Sequence, residues 1–197
     1  MKIFSLKSIN FGKKIPIKTC KILDKKQGEL VDATIYEHDC KDLSDAYEVQ
    51  KLDKFFAFKE LLVSGMHRKF LNQKIGLETQ EHYYSLQNSN GEILGCCRTL
   101  ENKDININLL SSKKGGRYKY IGQNIVSAIG EKVLNQNSGE LKVMAPIESS
   151  EKFYEDACGF KKEIHEGIFE QYYTYYMPRK DIADFVNRVE NKTKIRT

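Results

Sequence analysis

No stretch of this sequence is apolar for long enough to span a bilayer, so a membrane-embedded chain is not expected. Its first eighteen residues, MKIFSLKSINFGKKIPIK, carry lysines but lack a continuous apolar core and a small-residue cleavage site. A secretory signal is therefore not expected, and a cytoplasmic protein is. The sequence also lacks a CxxC pair and any zinc-finger spacing. Its five cysteines, Cys20, Cys40, Cys96, Cys97 and Cys158, are odd in number and scattered, which points to reduced structural thiols. Cys96 and Cys97 are adjacent on an expected strand, so their side chains should point to opposite faces. His38 and Cys40 stand close together without a second ligand pair, and no metal site is expected. Charge of one sign is not dominant either: 32 basic and 27 acidic residues leave +5. A general nucleic-acid binder usually carries a stronger basic bias, so nucleic acid is not an expected partner. Internal repeats and dividing linkers are missing too.

What remains is a chain of 197 residues, 40% of them hydrophobic, enough for one domain with a sizeable core. Residues 15–24 and 30–38 read as two strands joined by the turn KKQGE. Asp42 and Ser44 can cap a short helix beginning near Leu43. A second helix is expected over about 53–73, with Phe55, Phe56, Leu62, Met66 and Phe70 at helical spacing, a stripe best read as core. Strands follow at 82–88, 92–100 and 104–111. In the third, Ile105, Ile107 and Leu109 alternate with Asn106 and Asn108, so one face should be buried. A polar loop leads to a helix over 121–135, where Ile121, Ile125, Ile129 and Val133 define a core stripe. Residues 141–147 read as a buried strand stopped by Pro146. A short helix carries Phe153 and Tyr154 and ends at Gly159. Two further strands, GFKKEI and QYYTYYM, precede a weak amphipathic helix and a basic end. The order is a meander followed by β–α–β–α–β–β, one α/β domain with a mixed central sheet flanked by helices.

The chemistry is concentrated where strand 104–111 passes through a glycine-bearing loop into the helix at Ile121. A helix start offers unpaired N–H groups and partial positive charge, which suit a phosphate. Gly122 leaves the approach open, and Lys119 adds a full charge. Lys113, Lys114 and Arg117 cluster in the same loop. A plain strand–loop–helix turn would use the same residue types.

Here the sequence resembles the GNAT superfamily of N-acetyltransferases. Its cofactor motif runs Gln or Arg, two residues, Gly, one residue, then Gly or Ala. This chain has Lys119, Tyr120, Ile121, Gly122, Gln123, Asn124. The central glycine matches, Lys119 keeps the charge, and Asn124 replaces a smaller residue. A second family feature, an aromatic–Tyr pair followed by Gly-Phe, appears as Phe153-Tyr154 and Gly159-Phe160, with one extra residue between Tyr154 and Gly159. The family's frequent asparagine after the fifth core strand is missing, and Ile147 stands near its place. The resemblance covers residues 30–178. It implies a GNAT-type acyl-CoA N-acyltransferase fold with an extra N-terminal hairpin strand. Residues 1–29 would be an extension forming part of that hairpin, and 179–197 a short C-terminal helix and basic tail.

The resemblance also implies a reaction. Acetyl-CoA is the expected acyl donor, and the acceptor a primary amine on a small molecule or protein. The pantetheine arm would pair with exposed backbone at Leu109, Leu110 and Ser111. The pyrophosphate would sit on N–H groups from Tyr120 through Ile121, Gly122 and Gln123 to Asn124, beside Lys119. The amine would attack the thioester directly in a ternary complex, with Tyr154 near the departing sulfur. Packing at a helix–sheet junction is the other reading of Tyr154. An ordinary tyrosine titrates near 10 and a thiol near 8.5, so full proton donation to the thiolate is uphill by about 2 kcal/mol. Hydrogen-bonding the developing thiolate is the easier role.

A general base is less visible. Many family members carry a glutamate on the fourth core strand, where this chain has asparagines. Glu101 and Asp104 flank that strand as expected solvated turn charges. At pH 7 an α-amino group is roughly one-sixth neutral and a lysine roughly one part in 2,500, a difference of about 3–4 kcal/mol in barrier. A chain without an obvious base therefore leans towards a low-pKa amine or a water relay. Two other readings stay open: an inert acyl-CoA-binding sensor or interaction module, and an acetyltransferase acting on aminoacyl-tRNA, whose α-amine has a low pKa. The N-terminal hairpin either extends the sheet edge or mediates homodimerisation.

Overall fold

Alternating polarity near the N-terminus becomes an antiparallel hairpin, β1 (Lys14–Asp24) and β2 (Glu29–His38), closed through Gly28 in the left-handed region. The structure is a computed structural model and describes residues 14–54, 56–113, 115–136, 139–144, 146–167 and 171–194. Residues 1–13 of the expected extension, Phe55 of the aromatic stripe, Lys114 of the basic cluster and the chain end at 195–197 lie outside the described residues. After the hairpin come α1 (Ser44–Gln50), α2 (Lys59–Lys74), β3 (Glu81–Asn88), β4 (Ile93–Glu101), β5 (Ile105–Ser112) and β6 (Tyr118–Lys119). Then follow α3 (Ile121–Asn135), β7 (Leu141–Met144), α4 (Glu148–Lys152), a π-helical turn (Phe153–Cys158), β8 (Lys161–Glu166), β9 (Gln171–Met177) and α5 (Arg179–Lys194). The strands form one mixed sheet in the order β6-β1-β2-β3-β4-β5-β7-β9-β8, with β5 and β7 parallel. No helix of the described residues is long and apolar enough to cross a membrane.

Each face of the sheet carries its own core. On one, Ile121, Ile125, Ile129 and Val133 of α3 pack with Ile182, Phe185, Val186 and Val189 of α5. On the other, Leu62, Val63 and Met66 of α2 pack with Ala46 and Val49 of α1 and with Tyr83. Cys96 joins the second core and Cys97 the first, the opposite-face geometry their adjacency predicts. All five cysteines are free and buried, and burial pushes the thiols of Cys20, Cys40, Cys96 and Cys158 up to about 12.

Three elements differ from their sequence reading. Helix α2 starts at Lys59 rather than near 53, because Phe58 takes a left-handed backbone (φ 65°) that turns the chain before the helix. Helix α5 is longer and more deeply packed than a weak amphipathic tail. Its apolar residues 182, 185, 186 and 189 keep the i, i+3, i+4, i+7 spacing of a buried stripe. The alternation expected through Leu109 breaks at Asn108. There Arg98 pairs with Leu109 but Thr99 with Ile107, so Asn108 is the extra residue of a β-bulge. The bulge moves Leu109 to the α2 side and Leu110 to the α3 side.

The N-terminal hairpin lies inside the sheet, since β1 pairs with β2 on one side and with β6 on the other. Lys18 ties it to both helices of that face, through Glu131 of α3 and Glu190 of α5. Further along α3, Lys132 Nζ reaches Glu37 at 3.2 Å and Glu101 at 3.0 Å, and His82 hydrogen-bonds Glu37. Burial alone would raise the Glu37 carboxyl, but the His82 hydrogen bond and the Lys132 charge outweigh it and hold it at about 2. A carboxyl lowered from an ordinary 4.5 contributes stability fully present above pH 4.5 and lost as pH falls towards 2. The groups are partly exposed, so solvent screening leaves about 1 kcal/mol of the contribution. Denaturant titrations at pH 5.5 and 2.5 should show this loss in the parent chain and a smaller one in Glu37→Gln.

Candidate active site

The ladder between β5 and β7 runs from Ile105 opposite Leu141 to Ile107 opposite Val143 and then stops, while β5 continues to Ser112. Two residues cause the parting. The bulge at Asn108 twists β5 away, and Pro146 has no N–H with which to extend the ladder from β7. A cleft of about 260 Å³ opens between them, lined by Phe58, Leu109, Leu110, Met144, Ile147 and Tyr154 among others. Leu109 and Leu110 thus stand at the open margin of β5, and Ser111, next along the strand, is buried opposite Cys96.

Tyr154 reaches this cleft from the π-helical turn. A π-turn holds one more residue than an α-turn, which accommodates the additional residue between Tyr154 and Gly159. Gly159 closes the turn in the left-handed region (φ 84°), and the Phe160 N–H donates back to the Tyr154 carbonyl at 2.9 Å. The Tyr154 ring is 5% exposed and packs edge-to-face on Phe153 and Phe160, with centroids 5.1 and 5.6 Å away. Burial pushes its phenol well above the ordinary tyrosine value, so it is a neutral hydrogen-bond donor at physiological pH.

At the start of α3, Tyr120 takes a left-handed backbone (φ 72°) and turns the chain into the helix. The N–H groups of Ile121, Gly122 and Gln123 have no preceding helical carbonyl to reach. Asn124 differs. Its N–H donates to the Tyr120 carbonyl at 3.0 Å, and its side-chain amide donates to Lys21 O at 3.1 Å and Tyr120 O at 2.9 Å. The expectation of Asn124 as a phosphate contact is therefore corrected: it is 2% exposed and ties α3 to β1. Gln123 also acts through its side chain, whose amide donates to the Ala157 carbonyl at 2.8 Å and joins α3 to the turn carrying Tyr154. Gly122 has a second reason to be glycine, since a Cβ there would lie 2.9 Å from Phe153 Cζ.

The basic loop is partly neutralised within the molecule. Lys113 Nζ lies 2.9 Å from Asp53 and 3.4 Å from Glu92, and Arg117 pairs with Asp24. Lys119 is exposed on β6, at the helix entrance. The Arg117 hydrogen bond holds the Asp24 carboxyl below its usual range and fastens the hairpin to this loop.

Neither expected turn charge is simply solvated. Glu101 Oε1 accepts hydrogen bonds from Tyr84 Oη at 2.8 Å, Thr99 Oγ1 at 3.0 Å and Lys132 Nζ at 3.0 Å. Asp104 accepts from Lys142 Nζ at 2.7 Å and the Glu140 N–H at 3.0 Å, which fixes the loop into β7. The described cleft residues include no Asp, Glu or His. Phe58 and Met144 were missed as lining residues. The first follows Phe55 and Phe56 but stands outside their helical stripe, and the second ends a strand with no signal in its spacing.

No protein-family model and no curated protein sequence matches the chain. Solved structures do. FdhC, a nucleotide-linked sugar GNAT, aligns with a TM-score of 0.55 at 10% identity, over 92% of this chain and 98% of its own. A mutant of the spermidine N-acetyltransferase SpeG from Vibrio cholerae aligns with a TM-score of 0.51 at 13% identity, over 77% and 96%. The PaiA N-acetyltransferase from Thermoplasma acidophilum, in complex with coenzyme A, aligns with a TM-score of 0.50 at 13% identity, over 74% and 98%. With its parted parallel strands and the turn carrying Tyr154, as well as these alignments over nearly the whole of each neighbour, the chain has the GNAT fold.

Proposed function

We propose that this protein is an acetyl-CoA-dependent N-acetyltransferase that moves the acetyl group to a primary amine by direct attack within a ternary complex. The observation carrying the proposal is the cleft between β5 and β7, with Tyr154 in its wall and Gln123 bridging the α3 entrance to the Tyr154 turn. In this reading the pantetheine arm pairs with the β5 margin at Leu109, Leu110 and Ser111. The pyrophosphate takes the N–H groups of Tyr120, Ile121, Gly122 and Gln123, beside the charge of Lys119. The amine nitrogen attacks the thioester carbonyl, and the C–S bond breaks as the tetrahedral intermediate collapses. Tyr154 Oη donates a hydrogen bond to the departing thiolate, and the proton that the attacking nitrogen loses passes through solvent to that sulfur. Two neighbours support the ligand classes: PaiA is in complex with coenzyme A, and SpeG acts on spermidine, an amine.

The described cleft residues carry no side-chain base, so a water takes the ammonium proton or the acceptor arrives with a low pKa. The same observation keeps one competitor, an acyl-CoA-binding module without turnover. Thermal unfolding with acetyl-CoA, CoA and longer acyl-CoAs, paired with CoA-thiol release on a panel of amines, separates the two. Acetyl-CoA at 100 times its dissociation constant should stabilise the fold by about 2.7 kcal/mol, and at least one amine should release CoA. Stabilisation without release on any amine favours the module. No stabilisation by any acyl-CoA overturns both readings.

A further inference from the structure

The end of β2 meets the first helix at a buried polar cluster that the proposed reaction does not use. His38, the last residue of β2, is 1% exposed. Asp45 and Glu48 stand three residues apart on α1, so their carboxylates project from one side of the helix. One ligand atom from each of the three lies within 4.8 Å of the other two.

The polar groups here do not satisfy one another. His38 Nε2 hydrogen-bonds Ser85 Oγ at 2.9 Å, and the Gln87 amide donates to the same oxygen at 3.0 Å. The other ring nitrogen, Nδ1, is buried without a hydrogen-bond partner and faces Asp45 Oδ1 at 3.8 Å. That separation is too long for a hydrogen bond. Among the described residues, the Asp45 carboxylate accepts one hydrogen bond, from the Cys40 N–H at 3.4 Å. A carboxylate buried this deeply persists when a cation or several donors compensate it. Glu48, nearer the surface, accepts from Lys14 Nζ at 2.7 Å and from the Gln87 amide at 3.5 Å, and Lys14 also donates to Gln87 Oε1 at 2.8 Å. The Glu48 carboxylate and the Gln87 amide oxygen thus converge on one ammonium at the outer margin, and Asp45 on the inside faces His38 Nδ1.

We propose that His38, Asp45 and Glu48 bind one divalent first-row transition metal, Zn²⁺ being the type case. Zinc bonds to imidazole nitrogen at about 2.0–2.1 Å and to carboxylate oxygen at about 2.0–2.2 Å, so one ion reaches across a gap of up to roughly 4.2 Å. The 3.8 Å between His38 Nδ1 and Asp45 Oδ1 falls within that span. A mixed nitrogen and oxygen donor set suits this class of metal better than Ca²⁺ or Mg²⁺, which take oxygen ligands. Ser85 serves as the outer partner that fixes which imidazole nitrogen is free, as such partners do in metal sites. Glu48 also borders a surface pocket with Leu52 and Asp53, which gives the ion a path and a place for a water ligand. Lys14 gives up Glu48 as the metal enters. The bound ion fastens α1 to β2.

The test is a Zn²⁺ titration of chelator-stripped full-length protein followed by calorimetry, with the fold checked by circular dichroism. Glu48→Gln is the main variant, because Glu48 is partly exposed and its amide keeps the shape. Saturable uptake of one equivalent is expected, with at least a tenfold loss of affinity in Glu48→Gln. Nitrogen-15 spectra of the histidines should show the His38 Nδ1 signal moving on Zn²⁺ addition. No one-to-one uptake by folded protein, or equal uptake in Glu48→Gln, overturns the site. A His38 Nδ1 that carries a proton at neutral pH and is unmoved by Zn²⁺ also overturns it, because a proton then bridges to Asp45.

Discussion

Replacing Tyr154 with phenylalanine should lower turnover at least tenfold while leaving acetyl-CoA affinity within about twofold. The expectation rests on how the ring is held. Phe153 and Phe160 grip it edge-to-face, contacts that a phenylalanine ring keeps, so the variant loses Oη and little packing. Burial raises the phenol well above its ordinary value, which makes outright proton donation to a thiolate costlier than the roughly 2 kcal/mol expected for an unperturbed pair. Under the proposed reaction, the role left to Tyr154 is a hydrogen bond to sulfur as charge develops, an interaction stronger in the transition state than in the bound thioester. The loss should therefore appear in kcat, with KM for acetyl-CoA unchanged. Tyr154 stays neutral in this account, so the pH profile of the parent protein's proposed activity should show no limb from its ionisation below about pH 10. Steady-state CoA-thiol release on the amine found to be active measures the first effect, and calorimetric binding of acetyl-CoA measures the second. Unchanged turnover would leave Tyr154 as packing alone.

Much of the architecture was legible because burial imposes a period on sequence. Ile121, Ile125, Ile129 and Val133 repeat every four residues and all lie in the core beneath α3. Asn90 and Gly91 mark the turn between β3 and β4, and Gly91 does take a positive φ of 76°. The motif residues from Lys119 to Gln123 and the pair Phe153-Tyr154 also fall close together, because Gly122 packs on Phe153 and Gln123 bonds to Ala157.

What escaped the sequence depends on long-range pairing. A bulge at Asn108 is decided by the register of β4 against β5, and nothing in the run Ile105 to Ser112 marks one residue as extra. The consequence is large, since it reverses the face of Leu109 and opens the cleft. Phe58 falls outside the stripe read as core, and nothing in its spacing announces the left-handed backbone or its place in the cleft wall. Glu101 looks like a turn charge because its partners, Tyr84 and Lys132, lie 17 and 31 residues away. Asn124 resembles a motif position, yet its bond to Lys21 O spans 103 residues. His38 appeared without companions for the same reason, as Asp45 and Glu48 join it through the docking of α1.

Gly122→Ala should destabilise the protein by about 1–2 kcal/mol and lower turnover with it, against the usual effect of that substitution. In an ordinary helical position alanine is favoured over glycine by up to about 1 kcal/mol. Here the new methyl would lie 2.9 Å from Phe153 Cζ and 3.1 Å from Cε2, so the ring has to move. Phe153 packs edge-to-face on Tyr154, and displacing it shifts the Tyr154 ring in the cleft wall. The double variant Gly122→Ala/Phe153→Leu makes room for the methyl and should recover most of the lost stability, a coupling expected of two side chains in direct contact. Denaturant unfolding and acetyl-CoA calorimetry on the two single variants and the double variant distinguish the two reasons for a glycine at this position. If packing against Phe153 is the reason, stability falls in Gly122→Ala and returns in the double variant. If the open approach to the helix N–H groups is the reason, stability rises in Gly122→Ala, acetyl-CoA affinity falls, and Phe153→Leu restores nothing. The contact distances favour the first outcome.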